Sequence, residues 1–214
     1  MKKQNVSTPS YYTAASPSKP YHLKKAVTLI KIYQLHFDNE HYDYFVPEQE
    51  LPISELRTFD GRSKKNEWTP LTVRRANWRK GMELSDAPCC IFPVFRREVL
   101  DALRPLIAGS VEELELVCPD GDYCGINVTA VLDVTDYTKS KRIFSDEKQR
   151  ILVFERYAFM DCLELRQHHI FKIVDEPQRW AFVSDVFKTI VESKGFTGFI
   201  FRLVWDSEIS ALPL

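Results

Sequence analysis

The chain has 214 residues, of which 44% are hydrophobic and 28% are charged, a composition that supports a buried core and argues against global disorder. Its length fits one large domain or two small ones packed together. The formal net charge of −1 conceals an asymmetry, because residues 1–81 hold 14 Lys or Arg and 8 Asp or Glu, whereas residues 82–214 hold 15 and 22.

The N-terminal part is predicted to begin as a flexible tail and to continue as a strand-rich subdomain. Residues 1–24 combine Ser, Thr, Pro, Tyr and Lys without helix or strand periodicity. The run AVTLIKIYQLHF at positions 26–37 is rich in β-branched and aromatic residues, which indicates a strand. Prolines interrupt the pattern between residues 41 and 81 and favour short strands and irregular structure. The predicted subdomain covers residues 25–81.

A C-terminal α+β domain is predicted over residues 82–214, and it begins with a helix. Pro93 suits the first turn of a helix, because its fixed φ angle fits that position and its missing donor would have no partner there. Apolar residues then recur at three- and four-residue steps from Phe95 to Ile107. Gly109 is predicted to end this helix.

A hairpin is predicted next, with strands at residues 111–117 and 123–134. Asp120-Gly121 lies between them, and Asp-Gly supplies the positive φ angles that tight hairpins require. A polar stretch at residues 135–148 separates this hairpin from two further apolar runs, which are candidate strands. These runs are Ile151–Phe154 and His168–Val174.

The end of the chain predicts a strand, helix, strand unit. Trp180–Val183 is a candidate strand, and Ser184 is placed to cap the helix that follows. Gly195 is predicted to end that helix, and Phe196–Trp205 returns as a strand rich in Phe, Ile, Leu and Val. Together the elements predict an α+β fold: a mixed, mainly antiparallel sheet with a few packed helices, in one compact domain or two closely packed subdomains.

The sequence predicts a cytoplasmic protein that does not bind a membrane. Lys2 and Lys3 are followed by polar residues where a secretory signal would need an apolar region. No apolar stretch reaches the roughly 20 residues of a membrane-spanning helix. The five cysteines form an odd set without zinc-ligand spacing, which fits a reducing compartment.

No catalytic residue, cofactor site or metal site is predicted. His168 and His169 are adjacent on a candidate strand, so they would point to opposite faces and could not easily bind one metal ion. Cys89 and Cys90 precede the predicted helix, whose N-terminus could lower a thiol pKa, but packing accounts for them more simply. No Gly-rich phosphate-binding loop is present.

Acidic residues concentrate along the predicted hairpin and its exit. We expect them to form a negative patch that meets a basic partner surface, although solubility alone is an alternative explanation. The candidate partner-binding residues are Glu112, Glu113, Glu115, Asp120, Asp122, Asp133 and Asp136. Basic residues of the first 81 positions interleave with Tyr and Trp, but they are dispersed and the pI is about 6.5. A nucleic-acid partner is therefore not predicted.

The order of these features resembles a family of bacterial polymorphic-toxin immunity proteins first defined from a myxobacterial member. The resemblance covers roughly residues 86–205. It consists of a helix like FPVFRREVLDALRPL, a strand pair leading through YCGINVTAVLDVTDYTKS, and the ending IFKIVDEPQRWAFVSDVFKTIVESKGFTGFIF. The resemblance implies that Gly195, Gly198 and Ser184 have structural roles, and it implies no catalytic residues.

The resemblance further implies a small cytoplasmic protein, encoded beside a toxin or effector, that neutralises it by stoichiometric binding. Two alternatives stay open from the sequence. The first is an enzyme or nucleic-acid-processing protein whose site is assembled from dispersed residues. The second is an adaptor of a toxin-delivery system that uses the same surface for another partner. The sequence does not indicate the oligomeric state.

Overall fold

A computed structural model describes residues 29–49, 58–144 and 151–210. The predicted tail at residues 1–24 and the first residues of the predicted strand at 26–37 lie outside the described residues. The strands are β1 (Lys31–Phe37), β2 (Phe45–Pro47), β3 (Leu71–Arg75), β4 (Val94–Arg96), β5 (Val111–Val117), β6 (Tyr123–Val128), β7 (Val131–Leu132), β8 (Lys141–Phe144), β9 (Ile151–Arg156), β10 (Ile170–Ile173), β11 (Phe182–Ser184) and β12 (Phe199–Asp206). The helices are α1 (Arg97–Ile107), α2 (Leu163–Gln167), α3 (Asp185–Ser193) and α4 (Ser207–Ser210).

Ten of these strands form two five-stranded sheets. Sheet A has the order β12-β1-β11-β10-β7, and sheet B has the order β2-β3-β5-β6-β4. Each sheet has one parallel pair, β10 with β7 and β3 with β5, and its other pairs are antiparallel. β8 and β9 form a separate two-stranded sheet. These mixed, mainly antiparallel sheets with short helices confirm the predicted α+β fold.

Helices α1 and α3 bind the two sheets together. Their apolar faces, among them Leu103 and Phe187, are buried in one cluster with Leu35 of sheet A and Ile126 of sheet B. The rings of Phe95 and Phe187 lie 6.5 Å apart within it. Because an amphipathic helix is stabilised mainly by the apolar surface that it buries, neither helix has a complete packing surface without both sheets.

The predicted helix start at Pro93 is wrong by four residues. Residues Val94–Arg96 form β4, which pairs with β6, and the helix begins at Arg97. Phe95 is buried as the periodicity indicated, but its backbone belongs to a strand. An apolar residue that precedes a helix in a buried strand gives the same spacing as one inside the helix, so the pattern could not separate the two.

The predicted strand at residues 123–134 is divided between the two sheets. β6 belongs to sheet B and β7 to sheet A. At the crossing, the amides of Thr129 and Ala130 donate to the carbonyl of Ser110, at 2.9 and 3.1 Å. These two bonds satisfy backbone donors that would otherwise lack a sheet partner, and they allow one extended segment to change sheets.

Both sheets draw strands from both halves of the chain. β1 lies between β11 and β12, with Gln34 opposite Phe182 on one side and Arg202 on the other. β2 and β3 join β5 in sheet B. The boundary that the sequence predicts between residues 81 and 82 stays a prediction.

In the terminal strand, helix, strand unit, Ser and Gly residues lie where the helix begins and ends. The Ser184 hydroxyl oxygen accepts from the Phe187 amide at 3.2 Å, which confirms the predicted N-cap. Gly195 follows α3 with a φ of 70°, the left-handed conformation that ends many helices. Gly198 has a φ of 87°, and a Cβ there would lie 2.1 Å from the Oγ of Ser85. This close approach confirms that a side chain at Gly198 would obstruct packing.

We expect Gly198→Ala to lower the free energy of unfolding by at least about 2 kcal/mol, because it combines a strained φ with a steric overlap. Urea denaturation of the purified protein measures this. Gly109→Ala is the matched control, since no atom lies within 4 Å of a Cβ at Gly109, and it should change the value by less than about 0.5 kcal/mol. Equal effects of the two substitutions would contradict the packing argument.

Lys172 carries a buried amino group on β10. Its Nζ donates to the carbonyl oxygens of Phe59 and Pro177, and only 6% of the residue is exposed. Burial lowers the pKa of Lys172 from its ordinary value of 10.5 to about 8, although the Asp60 carboxylate opposes the shift. The side chain thus ties two segments to sheet A and does so at the cost of a disfavoured charge.

Lys172 should make the stability of the protein depend on pH. Between about pH 8 and 10.5 the unfolded chain holds a proton at this residue that the folded protein has released, so the contribution of Lys172 to stability rises with pH. Across this window the unfolding free energy of the wild type should rise, relative to that of Lys172→Met, by on the order of 3 kcal/mol. Urea titrations at several pH values measure it, with Lys194→Met run in parallel. A pH-independent difference would count against the buried charge.

Candidate partner-binding surface

The β5–β6 hairpin positions five of the seven predicted partner-binding residues. Leu114 is buried and its neighbours Glu113 and Glu115 are exposed on the opposite face of β5, as side-chain alternation in a strand requires. The hairpin turns at Gly121, whose φ is 146°. Asp120 and Asp122 flank that glycine, so both lie at the turn.

Glu112 lies on the other face of β5, and its carboxylate is hydrogen-bonded to other parts of the protein. Its carboxylate accepts from the Ser63 hydroxyl, from the Lys64 amide at 2.8 Å and from the Asn127 amide group at 3.1 Å. Burial alone would raise the pKa of Glu112, but these hydrogen bonds outweigh it and hold the pKa below its usual value. Glu112 therefore fastens the segment around Ser63 to sheet B.

Glu113 and Asp122 are paired with arginines of α1. The Glu113 carboxylate lies 3.2 Å from the Arg97 guanidinium and 2.9 Å from that of Arg104. Arg97 also lies 3.4 Å from Asp122, and Arg104 lies 2.6 Å from Asp101. Alternating charges of this kind neutralise one another, so this face is a half-exposed ion-pair network and not a uniformly negative patch.

The remaining predicted residues take no part in these ion pairs, although Glu115 borders the same surface depression as Arg97 and Glu113. In the part of the chain that the structure describes, the carboxylates of Glu115, Asp120 and Asp133 make no hydrogen bond or ion pair, and all three residues are exposed. Asp133 and Asp136 follow β7, at the edge of sheet A. Asp136 accepts from the Thr138 amide and hydroxyl at 3.0 and 2.6 Å, and these bonds help to keep its pKa low.

The structure therefore divides the seven residues into separate groups. Glu112 and Asp136 hold local structure, Glu113 and Asp122 pair with α1, and the other three are free on the surface. Their role in binding a partner stays a prediction. The charge pattern along the sequence could not reveal this division, because it depends on which face of β5 each residue occupies and on where α1 presents its arginines.

The sequence did not predict β8, whereas its partner β9 contains the candidate strand predicted at Ile151–Phe154. The polar stretch at residues 135–148 contains β8, which pairs with β9. This pair leaves Ile143, Phe144 and Val153 exposed at 40%, 45% and 37%. The adjacent apolar pair Ile143-Phe144 within a Lys- and Arg-rich stretch was the available signal, and the surrounding polar composition concealed it.

An open cleft of about 730 Å³ lies beside Trp68. The rings of Phe59 and Trp68 form its apolar wall, and Arg62 and Lys64 lie at its border. Arg62 is paired with Asp60 at 2.9 Å, and the Lys64 ammonium lies 4.6 Å from the centre of the Phe59 ring. The cleft thus offers apolar and cationic contacts, while its own cations already have partners.

Side chains with catalytic potential are engaged in structural contacts. His168 Nδ1 lies 2.9 Å from the Ser110 hydroxyl, and His169 Nδ1 lies 2.8 Å from the Ser184 hydroxyl. Burial raises the pKa of Cys89 and raises that of Cys90 to about 11, so the reactive thiolate is disfavoured. Among the described residues no group of three His, Cys, Asp or Glu side chains is arranged to hold a metal ion.

A chain of polar groups crosses one face of sheet A. His36 Nε2 lies 3.0 Å from the Gln34 side-chain oxygen, and the Tyr157 hydroxyl donates to Glu176 at 2.8 Å. Glu176 is buried and lies 3.2 Å from the Arg179 guanidinium. Burial lowers the pKa of His36, with a smaller contribution from nearby Arg202. This chain supplies a hydrogen bond to one oxygen of a buried carboxylate, and its residues do not line the Trp68 cleft.

Within the described residues, no helix is long and apolar enough to cross a lipid bilayer.

The model of an immunity protein family (Imm11) matches residues 116–206. This segment runs from the end of β5 through β12. No curated protein matches the chain. Over residues 116–206 the chain is thus similar to the immunity proteins of this family, which confirms the predicted resemblance to an immunity protein family. The first part of that resemblance, the helix like FPVFRREVLDALRPL, lies outside the match.

Proposed function

We propose that this protein is a bacterial immunity protein that binds a cognate toxin or effector in the cytoplasm and neutralises it by forming a stoichiometric complex. The family match over residues 116–206 is the observation that carries the proposal. The matched segment contributes strands to both sheets and includes α3 of the shared core. It is therefore part of the rigid framework on which a binding surface would be built.

A binding mechanism needs a preformed surface and no reacting group. Protein interfaces of ordinary size bury about 1,600 Å² in total, and a few residues supply most of their affinity. Here the well-packed core holds the surface elements in place, since the rings of Phe95, Phe187 and Phe199 are in mutual contact. Such preorganisation lowers the conformational cost of association. Neutralisation then follows from covering the toxin's active site or another surface that it needs.

Co-expression tests the proposal directly. The open reading frame next to this gene should arrest growth when it is induced alone, and growth should recover when this protein is co-expressed. The two products should purify together as an equimolar complex by size-exclusion chromatography with light scattering. Growth arrest that persists while this protein accumulates in folded form would overturn the proposal, as would rescue without a complex.

The exposed acidic residues enter the proposal as steering charges. Glu115, Asp120 and Asp122 are all exposed around the β5–β6 hairpin, and exposed charges at the border of an interface act mainly on the association rate. The triple variant Glu115→Gln/Asp120→Asn/Asp122→Asn should slow association with the neighbouring gene product by about threefold to tenfold at low salt. The difference should disappear at high salt.

The control for this measurement removes the same number of charges elsewhere. Glu40, Glu83 and Glu164 are also exposed, and the triple Gln variant at these positions should leave the association rate within about twofold. Stopped-flow or surface-plasmon measurements give both rates. If the two triple variants have equal effects, net charge and not the hairpin governs association, and Glu115, Asp120 and Asp122 lose their predicted role.

A further inference from the structure

The strand pair β8–β9, called the arm below, has an anchored base and a projecting body. At the base, the Asp136 amide donates to the Ala158 carbonyl at 2.8 Å, and the Met160 amide donates to the Val134 carbonyl at 2.9 Å. Val134 and Ala158 are buried in the core on one side of sheet A. Beyond this base, Phe154 of β9 is buried in the same cluster, whereas Ile143, Phe144 and Val153 are exposed. The arm is thus fixed at its base and at Phe154, and its other described apolar side chains are exposed.

One face of the arm exposes apolar side chains, whereas the other face holds the buried Phe154. Ile143 is opposite Val153 on one face, and Arg142 is opposite Phe154 on the other. Phe144, two residues beyond Arg142, is exposed at 45%. A two-stranded hairpin is marginally stable by itself in water, and clustered exposed apolar side chains indicate an interaction site. Within the described part of the chain, no packing contact accounts for the exposure of these apolar side chains.

The arm also carries an excess of positive charge. The Arg142 guanidinium lies 4.6 Å from the centre of the Tyr137 ring and 5.3 Å from that of Phe144. Arg156 donates to the Lys139 carbonyl at 2.9 Å. Within the described ranges neither guanidinium has a carboxylate partner, whereas Lys141 is paired with Glu155. Arginine and aromatic side chains together are the composition typical of the residues that dominate protein interfaces.

We infer that the arm is the anchor with which this protein binds its toxin, and that it inserts into an apolar groove of the toxin bordered by acidic residues. The inference rests on the proposed function. Acidic side chains at the groove's border would pair with Arg142 and Arg156, and its apolar floor would cover Ile143 and Val153. A nucleic acid would complement the arginines but would leave Ile143 and Val153 exposed, so the arm fits a protein better.

The test compares two sets of equally exposed apolar residues. The arm variant is Ile143→Ser/Val153→Ser, and the matched control is Ile200→Ser/Leu203→Ser on β12, where the two residues are exposed at 44% and 47%. The probe is the purified product of the neighbouring open reading frame, with its affinity for full-length protein measured by calorimetry. We expect about 30-fold or more weaker binding for the arm variant and less than about threefold for the control.

Two further measurements do not depend on whether the Ile143→Ser/Val153→Ser variant folds. They are a charge variant and amide hydrogen exchange of the wild-type complex. Arg142→Gln removes the charge but keeps a polar side chain, and it should weaken binding at least about tenfold at low salt. Amide hydrogen exchange of the wild-type complex should show added protection at residues 141–144 and 153–156, whether or not any variant folds. Circular dichroism should show native structure in all variants, because the substituted side chains lie outside the buried clusters.

The outcomes separate the arm from the proposed function. If wild type binds the neighbouring gene product but the arm variants bind equally well, or exchange in the arm is unchanged in the complex, the arm inference is overturned and the immunity function stands. If wild type does not bind or rescue, both are overturned. If the arm variants lose binding to a labelled single-stranded RNA while the protein complex is unaffected, the arm is a nucleic-acid site and the inference is wrong.

Discussion

Burial of α1 and α3 between the two sheets is the interaction on which the rest of the structure depends. Leu35 of β1, Ile126 of β6 and Phe187 of α3 belong to one buried cluster, so each sheet completes the packing surface of the other. Close packing transmits small changes in volume to all neighbours. The β5–β6 hairpin is consequently positioned by this core, whereas the arm's base packs in a second buried cluster with Ile32 and Phe171 of sheet A.

Polar contacts of Lys172 and Glu112 add a second connection between the sheets. Lys172 of sheet A donates to the Phe59 carbonyl, and Glu112 of sheet B accepts from the Lys64 amide. The segment between Phe59 and Lys64 is therefore held from both sides, while the Phe59 ring packs in the core beside sheet B. Removing one partner of such a contact leaves a buried polar group without its bond, which costs more than the contact itself contributes. Apolar packing and polar contacts thus fix the same arrangement.

The sequence predicted most elements because their periodicity was strong, and it failed where an element's partner decided its form. The terminal unit was predictable from local signals, since Ser184 and Gly195 act within their own turns. β4 and the break after β6 were not, because pairing with β6 and the bonds to Ser110 come from distant parts of the chain. The acidic residues were found as a set, but α1 neutralises part of it.

The position of β1 between β11 and β12 has a consequence for how the chain acquires its structure. Residues 31–37 pair with residues 199–206, so the centre of sheet A closes only when nearly the whole described chain has left the ribosome. Until then β1 has two open edges, and such edges are templates for unwanted pairing with other chains. Contacts so distant in sequence also slow folding. The segment that matches the immunity family lacks β1, so expressed by itself it would expose the inner edges of both β11 and β12.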